Sequence, residues 1–538
     1  MSHCVCVKEK KTAYLKQGFP PQQMKVATLC VLVAALTRGA LGVLSPPERS
    51  YKILILLPVS TRSHRIVFMT IAEALADRGH KVVMLINQPK SSTHPNIHEV
   101  AHGLPHRQHE KFNMFDMRKS SGGSTNALVR TLPPMARDMY QVPEVKELYE
   151  RRKEFDVVMV DALFNEAAYP FVHELPFILV STSGIAKSDV LGNVLNPAYT
   201  PSFMFDFPSP MSAWHRFLNT LSSIVMSVYW RHWAIVPLIQ KEISAQFPEL
   251  PPLLDLERNM SLALLNSHFT ISKSVPLLPS QVEVGAMHCR PANPLPQELE
   301  SWITGAGAEG VIYFSLGSVA RGNSMPVQYR NLFLQAFRRL PQRVIWKYEG
   351  ELEDVPDNVM ISKWLPQQDI LAHDNVKVFI THGGLLSLQE SIYHVTPLLA
   401  LPIFGDQPKN GRFVRDSGLG HFLVWEELTE DLIVNALTDI ISDPKYKENV
   451  MKMSAGLRDQ LISPKELAVF WTEYVIRHRG APQLRSPAAQ LSWVEFLMLD
   501  VLLLLHLALL VLYFTLRRVL RAISAKIFGS GGSKKKKD

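Results

Sequence analysis

Apolar residues fall along this chain in short unbroken runs separated by amphipathic stretches. Residues 51–57 are nearly all apolar and are closed by Pro58; Val67, Ile71 and Leu75 then recur every four residues, Arg78-Gly79-His80 interrupts the pattern, and Lys81–Ile86 is a second apolar run. An unbroken run suits a strand buried on both faces, and a four-residue spacing lines one face of a helix, so this segment predicts strand, helix, strand. The unit recurs less clearly at 156–160 and 176–181, and the first half reads as a parallel, doubly wound α/β domain.

The proline-rich stretch Arg290-Pro291-Ala292-Asn293-Pro294-Leu295-Pro296 breaks the pattern and is the best linker in the chain. Beyond it the alternation restarts, with strands at Val311–Ser315, Arg343–Lys347, Val376–Thr381 and 397–402 and helices at 327–340 and 387–394. Two α/β halves joined by one linker leave a cleft, and such sheets bind ligands beyond the carboxyl ends of their strands. Segment 185–240 is different, mixing Trp214, Phe217, Met226, Tyr229, Trp230 and Trp233 with prolines and few charges. It suits an insertion packed on the first half, a wall of an apolar substrate pocket, or a surface at a membrane interface; the pattern does not choose among them.

Two further apolar runs lie near the ends. Met24-Lys25 precedes an apolar run over 26–36, and the small residues of Ala40-Leu41-Gly42 follow. That is the order of a secretory signal, so 1–42 reads as leader and signal peptide, with initiation at Met24 or an uncleaved anchor as alternatives. Between Glu495 and Arg517 stand 21 residues, 496–516, interrupted only by Asp500 and His506; as a helix they rise about 30 Å, the thickness of a bilayer core. Arg517, Arg518, Arg521 and Lys526 then assign the tail, 517–538, to the cytoplasm and the body to the lumen or the cell exterior. The final Lys535-Lys536-Lys537-Asp538 resembles the dilysine retrieval signal of single-pass type I proteins of the endoplasmic-reticulum membrane.

With 538 residues, 47% hydrophobic and 20% charged, and with 27 Gly and 37 Pro in no repeat, the chain is of globular composition; collagen, solenoid and disulfide-scaffold readings drop out. Its net charge of +8 sits at the ends, where five lysines face Glu9 within residues 1–25 and eight basic residues face Asp538 within 517–538. The body is slightly acidic, which argues against nucleic-acid binding. Cys4, Cys6 and Cys30 fall in the leader, so Cys289 stands alone in the body and neither a disulfide within it nor a cysteine-rich metal site is expected. Asn259-Met260-Ser261 is the single glycosylation sequon.

Gly305-Ala306-Gly307-Ala308-Glu309-Gly310 fits G-x-G-x-x-G, but it precedes a strand instead of joining a strand to a helix, so a nicotinamide or flavin site is rejected. The informative runs are Trp364-Leu365-Pro366-Gln367-Gln368-Asp369, His382-Gly383-Gly384-Leu385-Leu386-Ser387-Leu388-Gln389-Glu390 and Phe404-Gly405-Asp406-Gln407-Pro408. Thr381-His382-Gly383-Gly384 joins a strand to a helix, where unhindered N–H groups meet the positive end of a helix dipole and suit a phosphate. Trp364 offers a flat apolar face for a base. Glu390, two turns into the helix, offers two acceptors for vicinal hydroxyls.

In this order the motifs resemble the nucleotide-sugar signature of the UDP-glycosyltransferase superfamily, membrane-bound and of microsomal type; the resemblance takes in Ser315-Leu316-Gly317-Ser318 and Arg78-Gly79-His80 and covers about residues 45–538. It implies the GT-B fold, an α/β architecture of two facing Rossmann-like domains, here with a C-terminal transmembrane helix. The implied division is 43–287 for acceptor binding, 288–296 as linker and 297–490 for UDP-sugar binding. By the resemblance Trp364 stacks on uracil, Gln367 contacts the base or ribose, Glu390 holds the ribose hydroxyls, and Ser318, His382, Gly383 and Gly384 take the diphosphate. Gly317 and Ser387 join them in the donor site, and Asp406 and Gln407 bind the sugar hydroxyls. Leu386 stands where vertebrate and plant members usually have Asn, which is similar to invertebrate UDP-glucosyltransferases. Val395, in Tyr393-His394-Val395-Thr396-Pro397, and Ala286 replace customary glycines. A helix ended by a left-handed residue tolerates a β-branched side chain poorly, so the loop beside the donor is expected to be reshaped.

His64 follows the first strand and Asp161 ends the apolar run before it. The resemblance makes His64 the general base for an acceptor hydroxyl and Asp161 its orienting partner. The implied reaction is inverting transfer from a UDP-sugar, with glucose favoured, to a small lipophilic acceptor at the membrane, without metal or cofactor. UDP-glucuronic acid as donor, and a catalytically silent member modulating another transferase, are the alternatives; a homo- or hetero-oligomer is left open.

Overall fold

The structure, a computed structural model, describes residues 44–104, 113–119, 123–185, 187–202, 207–208, 210–318 and 320–528. The signal run and Lys535–Lys537 lie outside the described residues.

Two wholly parallel sheets form the body. The first has seven strands in the order β3-β2-β1-β4-β5-β6-β7: β1 (Lys52–Leu57), β2 (Lys81–Ile86), β3 (Ile97–Ala101), β4 (Val157–Asp161), β5 (Phe177–Ser181), β6 (Met260–Leu265) and β7 (Gln281–Glu283). The second has six in the order β10-β9-β8-β11-β12-β13: β8 (Val311–Ser315), β9 (Arg343–Lys347), β10 (Val359–Ser362), β11 (Val376–Thr381), β12 (Leu398–Ala400) and β13 (Gly420–Phe422). Every residue of β4, β5, β6 and β8 is buried, as expected of strands covered by helices on both faces. Strand order reverses between β1 and β4 and again between β8 and β11, which opens a crevice at the carboxyl ends of each pair.

The chain divides less simply than the range 297–490 implies. Helix Pro464–Arg477 crosses back onto the first half, where Val469, Val475 and Ile476 join the core formed by Phe68, Ile71 and Leu75 of helix Arg62–Asp77. Arg78-Gly79-His80 explains the docking. Gly79 turns the chain at φ 88°, and the buried Glu473 then accepts from Arg78 Nε at 2.6 Å and pairs with His80 Nε2 at 3.0 Å.

Segment 185–240 also divides. Ile235, Val236, Ile239 and Ile243 of helix Ile235–Gln246 are buried in the first core, whereas helix Ala213–Val228 buries only Asn219. That asparagine stitches the helix to the preceding loop through Pro197, Thr200 and Ser202, and leaves Trp214, Phe217, Leu221, Ile224, Val225 and Val228 exposed.

The C-terminal helix differs from the expected 496–516. Ser492 and Glu495 cap a short turn, Trp493–Phe496, and Met498 at φ 52° breaks the chain direction. A single helix, Leu499–Phe528, then continues through Arg517, Arg518 and Arg521. No charge interrupts a helix whose hydrogen bonds are internal, so the apolar-to-basic change does not end it. Its 30 residues are long and apolar enough to cross a membrane.

Candidate functional site

The carboxyl ends of β1 and β4 bring the first pair together. Thr61 caps helix Arg62–Asp77 by accepting the N–H of His64, which fixes His64 in the first turn. Asp161 is the last residue of β4, and its Oδ2 lies 2.6 Å from His64 Nδ1. The Asp161 side chain is fully buried and that of His64 is 14% exposed. Asn165, four places after the end of β4, accepts from Val59 N–H and donates to Val59 C=O, holding the two loops against each other. Such a pair can hold imidazole in the tautomer whose Nε2 accepts a proton.

The second sheet assembles the remaining residues around β8 and β11. Gly317 at φ 82° and Gly384 enclose the His382 ring: a Cβ on either would stand 2.7 Å or 2.6 Å from it. Burial, aided by the charge of Lys347, lowers the proton affinity of His382 to about 4, so the imidazole is neutral at pH 7. Gly383 takes φ 78° and its N–H donates to Thr381 Oγ1. Helix Leu385–Tyr393 starts at Gly384 with no side-chain cap, and its first N–H groups face the crevice end of β11 without a protein partner from a capping side chain. Ser318 is half-buried on the neighbouring turn.

Trp364 is 64% exposed at the rim. Gln367 does not point into open space. Its Nε2 donates to Glu390 Oε2 at 2.5 Å and to Ser387 Oγ at 3.2 Å, and its Oε1 accepts from Tyr313 OH at 3.2 Å. Asp369 anchors the linker: it takes a bidentate pair from Arg290 at 2.6 and 2.9 Å and the N–H of Asn293 at 2.7 Å.

On helix Gln407–Asp416 and the residue before it, Asp406 accepts from Asn410 Nδ2 at 2.8 Å, which also donates to Gly383 C=O. Burial raises the Asp406 carboxyl; Asn410, its own backbone, Lys409 and His64 pull it back. Gln389 Nε2, on the helix after β11, donates to Asn266 Oδ1, just beyond β6, at 3.0 Å, so the carboxyl ends of the two sheets adjoin. Gln407 uses its Oε1 to receive Ile403 and Phe404 N–H at 2.8 and 3.1 Å, which closes the loop before the helix. Asn259 is exposed just before β6, far in sequence from either crevice, with its carbonyl bonded to Arg485.

Three residues went unnoticed in the sequence. Asn410 has a readable signal, four residues after Asp406 on a helix. Lys347 ends β9, donates to Gly317 C=O at 3.0 Å and pairs with Glu349. His288 lies 3.3 Å from Glu390 Oε1, with its side chain wholly buried. Burial opposes its charge, but Cys289 and Glu390 outweigh that and raise its proton affinity to about 10. Nothing in the spacing announces a contact made across two folded halves.

Both departures from glycine are left-handed: Ala286 and Val395 each have φ 60°. The loop after Val395 keeps the closure of a left-handed cap, with Val395 N–H bonded to Ile392 C=O and Thr396 N–H to Ser391 C=O, at 3.1 and 2.9 Å. Val395 thus keeps a left-handed φ and the hydrogen bonds of the helix end together.

Two facing parallel sheets with these crevices define a glycosyltransferase of the GT-B fold. The structure aligns with that of CalG4, the calicheamicin glycosyltransferase, at a TM-score of 0.53 and 17% identity over 80% of this chain and 99% of that one. The family model described as UDP-glucoronosyl and UDP-glucosyl transferase matches residues 52–535, and the chain belongs to that family of UDP-glycosyltransferases. It is 34% identical to UDP-glycosyltransferase UGT5 of Dactylopius coccus over 90% of this chain and 95% of the relative. It is 32% identical to UDP-glucosyltransferase 2 of the same insect, over 92% and 98%.

Proposed function

We propose that this enzyme transfers glucose from UDP-glucose, with inversion, to a hydroxyl of a small lipophilic acceptor, giving a β-glucoside and UDP. The observation that carries the reading is the His64–Asp161 pair at the mouth of the first sheet. The acceptor oxygen attacks the anomeric carbon, its proton passes to His64 Nε2, and the carbon–oxygen bond to the diphosphate breaks. Asp161 stabilises the imidazolium that forms. Charge developing on the leaving diphosphate meets Ser318, His382, the N–H groups after Gly384 and the nearby Lys347 ammonium. Trp364 stacks on uracil, Glu390 and Gln367 receive the ribose, and Asp406 and Gln407 hold the sugar hydroxyls. Glucose is favoured over glucuronic acid by Leu386 and by the likeness to an insect UDP-glucosyltransferase.

The helix Leu499–Phe528 supports a single-pass type I topology in the endoplasmic reticulum, with a cleaved leader, a lumenal body carrying a glycan on Asn259, and a cytoplasmic dilysine tail. A role in clearing lipophilic compounds is part of this reading.

The test is to incubate the full chain in microsomes with UDP-glucose, UDP-glucuronic acid and UDP-galactose against a panel of phenols, and to determine the anomer formed. β-Glucoside formation at least about tenfold faster than with the other donors is expected. Faster transfer from UDP-glucuronic acid would reassign the donor, and absence of turnover with every donor would favour the silent reading.

A further inference from the structure

Glu390 is surrounded by side chains of unequal origin. Gln367 and Gln368 come from the second half and approach Oε2 at 2.5 Å and Oε1 at 3.5 Å. His288 is the first residue of the linker and approaches Oε1 at 3.3 Å.

The turn that delivers His288 is built by close packing. A Cβ on Gly285 would stand 2.5 Å from Ser267 C=O, so the chain passes there only without a side chain. Ala286 then turns left-handed, and its N–H donates to Asn266 Oδ1 at 3.3 Å. The same Oδ1 receives Gln389 Nε2 at 3.0 Å. Consecutive residues of one helix, Gln389 and Glu390, are thereby met by Asn266 and His288. The His288 backbone is also held, since its C=O accepts from Gln368 Nε2 at 3.1 Å and the next N–H but one, of Arg290, donates to Gln368 Oε1 at 3.0 Å. Its Nδ1 is buried without a hydrogen-bond partner among the described residues, so the polar contacts of the ring are those of Nε2, to Glu390 Oε1 at 3.3 Å and to Cys289 Sγ at 3.9 Å.

We propose that His288 is a positioning residue for nucleotide recognition: it sets the orientation in which the Glu390 carboxylate receives the two ribose hydroxyls. The proposal rests on the reading of Glu390 as the ribose acceptor. A carboxylate held by an amide on one oxygen and an imidazole on the other cannot rotate freely about its last bond, and a vicinal diol needs both oxygens in one plane. Without His288, Oε1 keeps only the long contact to Gln368 and the carboxylate turns.

The experiment is calorimetry on the full-length protein with UDP and with 2′,3′-dideoxy-UDP. The unaltered protein should bind UDP at least about tenfold more tightly, the size expected for hydrogen bonds to a charged group. His288→Ala should weaken UDP by about tenfold and leave dideoxy-UDP within about twofold, while His288→Gln, which keeps an N–H donor, should recover most of the loss. KM for the UDP-sugar should rise with kcat little changed, because His64 and Asp161 are untouched. Equal weakening of both nucleotides by His288→Ala, or of neither, overturns the proposal. If the unaltered protein fails to distinguish the two nucleotides, the ribose role of Glu390 falls and the proposal with it.

Discussion

His64 Nδ1 and Asp161 Oδ2 stand 2.6 Å apart although 97 residues separate them in the chain. Their meeting follows from the register of two adjacent strands, in which Leu56 pairs with Val160, so the residues just beyond the end of each strand emerge side by side. Thr61 then starts the helix at the point that carries His64 over Asp161.

If this pair activates the acceptor, His64→Ala should lower turnover on aliphatic alcohols by about 10²- to 10⁴-fold. Asp161→Asn should cost a comparable factor and the double variant little more, because the two act as a unit. UDP affinity, measured by calorimetry, should survive in all three. Near-normal turnover of His64→Ala on aliphatic alcohols would exclude the base assignment.

Trp364→Ala should weaken UDP by roughly 5- to 150-fold, since stacking of a base on an aromatic ring contributes about 1–3 kcal/mol. Gln407 needs a different substitution, because its Oε1 closes the loop through Ile403 and Phe404. Gln407→Glu keeps that acceptor and removes the N–H donor, so UDP affinity should hold while KM for the UDP-sugar rises. A parallel loss of UDP affinity in Gln407→Glu would detach this residue from the sugar.

Val395→Gly should raise the melting temperature. A β-branched residue in the left-handed region costs about 1–2 kcal/mol, and the extra freedom of glycine in the unfolded chain offsets about half of that. Transfer rates should stay within about twofold, because the hydrogen bonds that close the helix end are already present. An unchanged or lower melting temperature would mean that the strain is relieved elsewhere.

Stability should fall as the pH drops from about 6.5 toward 4. Burial lowers both His382 and His394 to about 4, with Lys347 adding to the effect on the first and Glu390 opposing it on the second. An unfolded histidine titrates near 6.5, so the unfolded state binds more protons across this window and gains on acidification. His288, raised to about 10, has the opposite sign: its contribution is complete below about 6.5 and is lost as the pH rises toward 10. Urea midpoints recorded from pH 7 to 4.5 should decline, and His394→Gln should flatten the decline; an equal slope in that variant would contradict the assignment.

The central strands were readable because burial on both faces leaves an unbroken apolar run, and Lys81–Ile86, Val311–Ser315, Arg343–Lys347 and Val376–Thr381 occupy the predicted residues. Strands nearer the edges were not. β3 reads Ile-His-Glu-Val-Ala and β10 Val-Met-Ile-Ser, too short and mixed to stand out from loops. The returning helix Pro464–Arg477 looked like part of the second half because proximity along the chain was the only guide to its place.

By itself the sequence determined the alternation of strands and helices, the proline-rich break, the apolar C-terminal run and the clustered motif residues between Trp364 and Gln407. Each of these is written in local periodicity or within one strand–turn–helix unit, where residues near in sequence are near in space. The tertiary structure alone decided that His64 meets Asp161, that His288 reaches Glu390, and that Glu473 locks a late helix onto Arg78 and His80. Those contacts depend on strand order and on how two sheets dock. Both are set by the burial of whole faces, which no short stretch of the chain encodes.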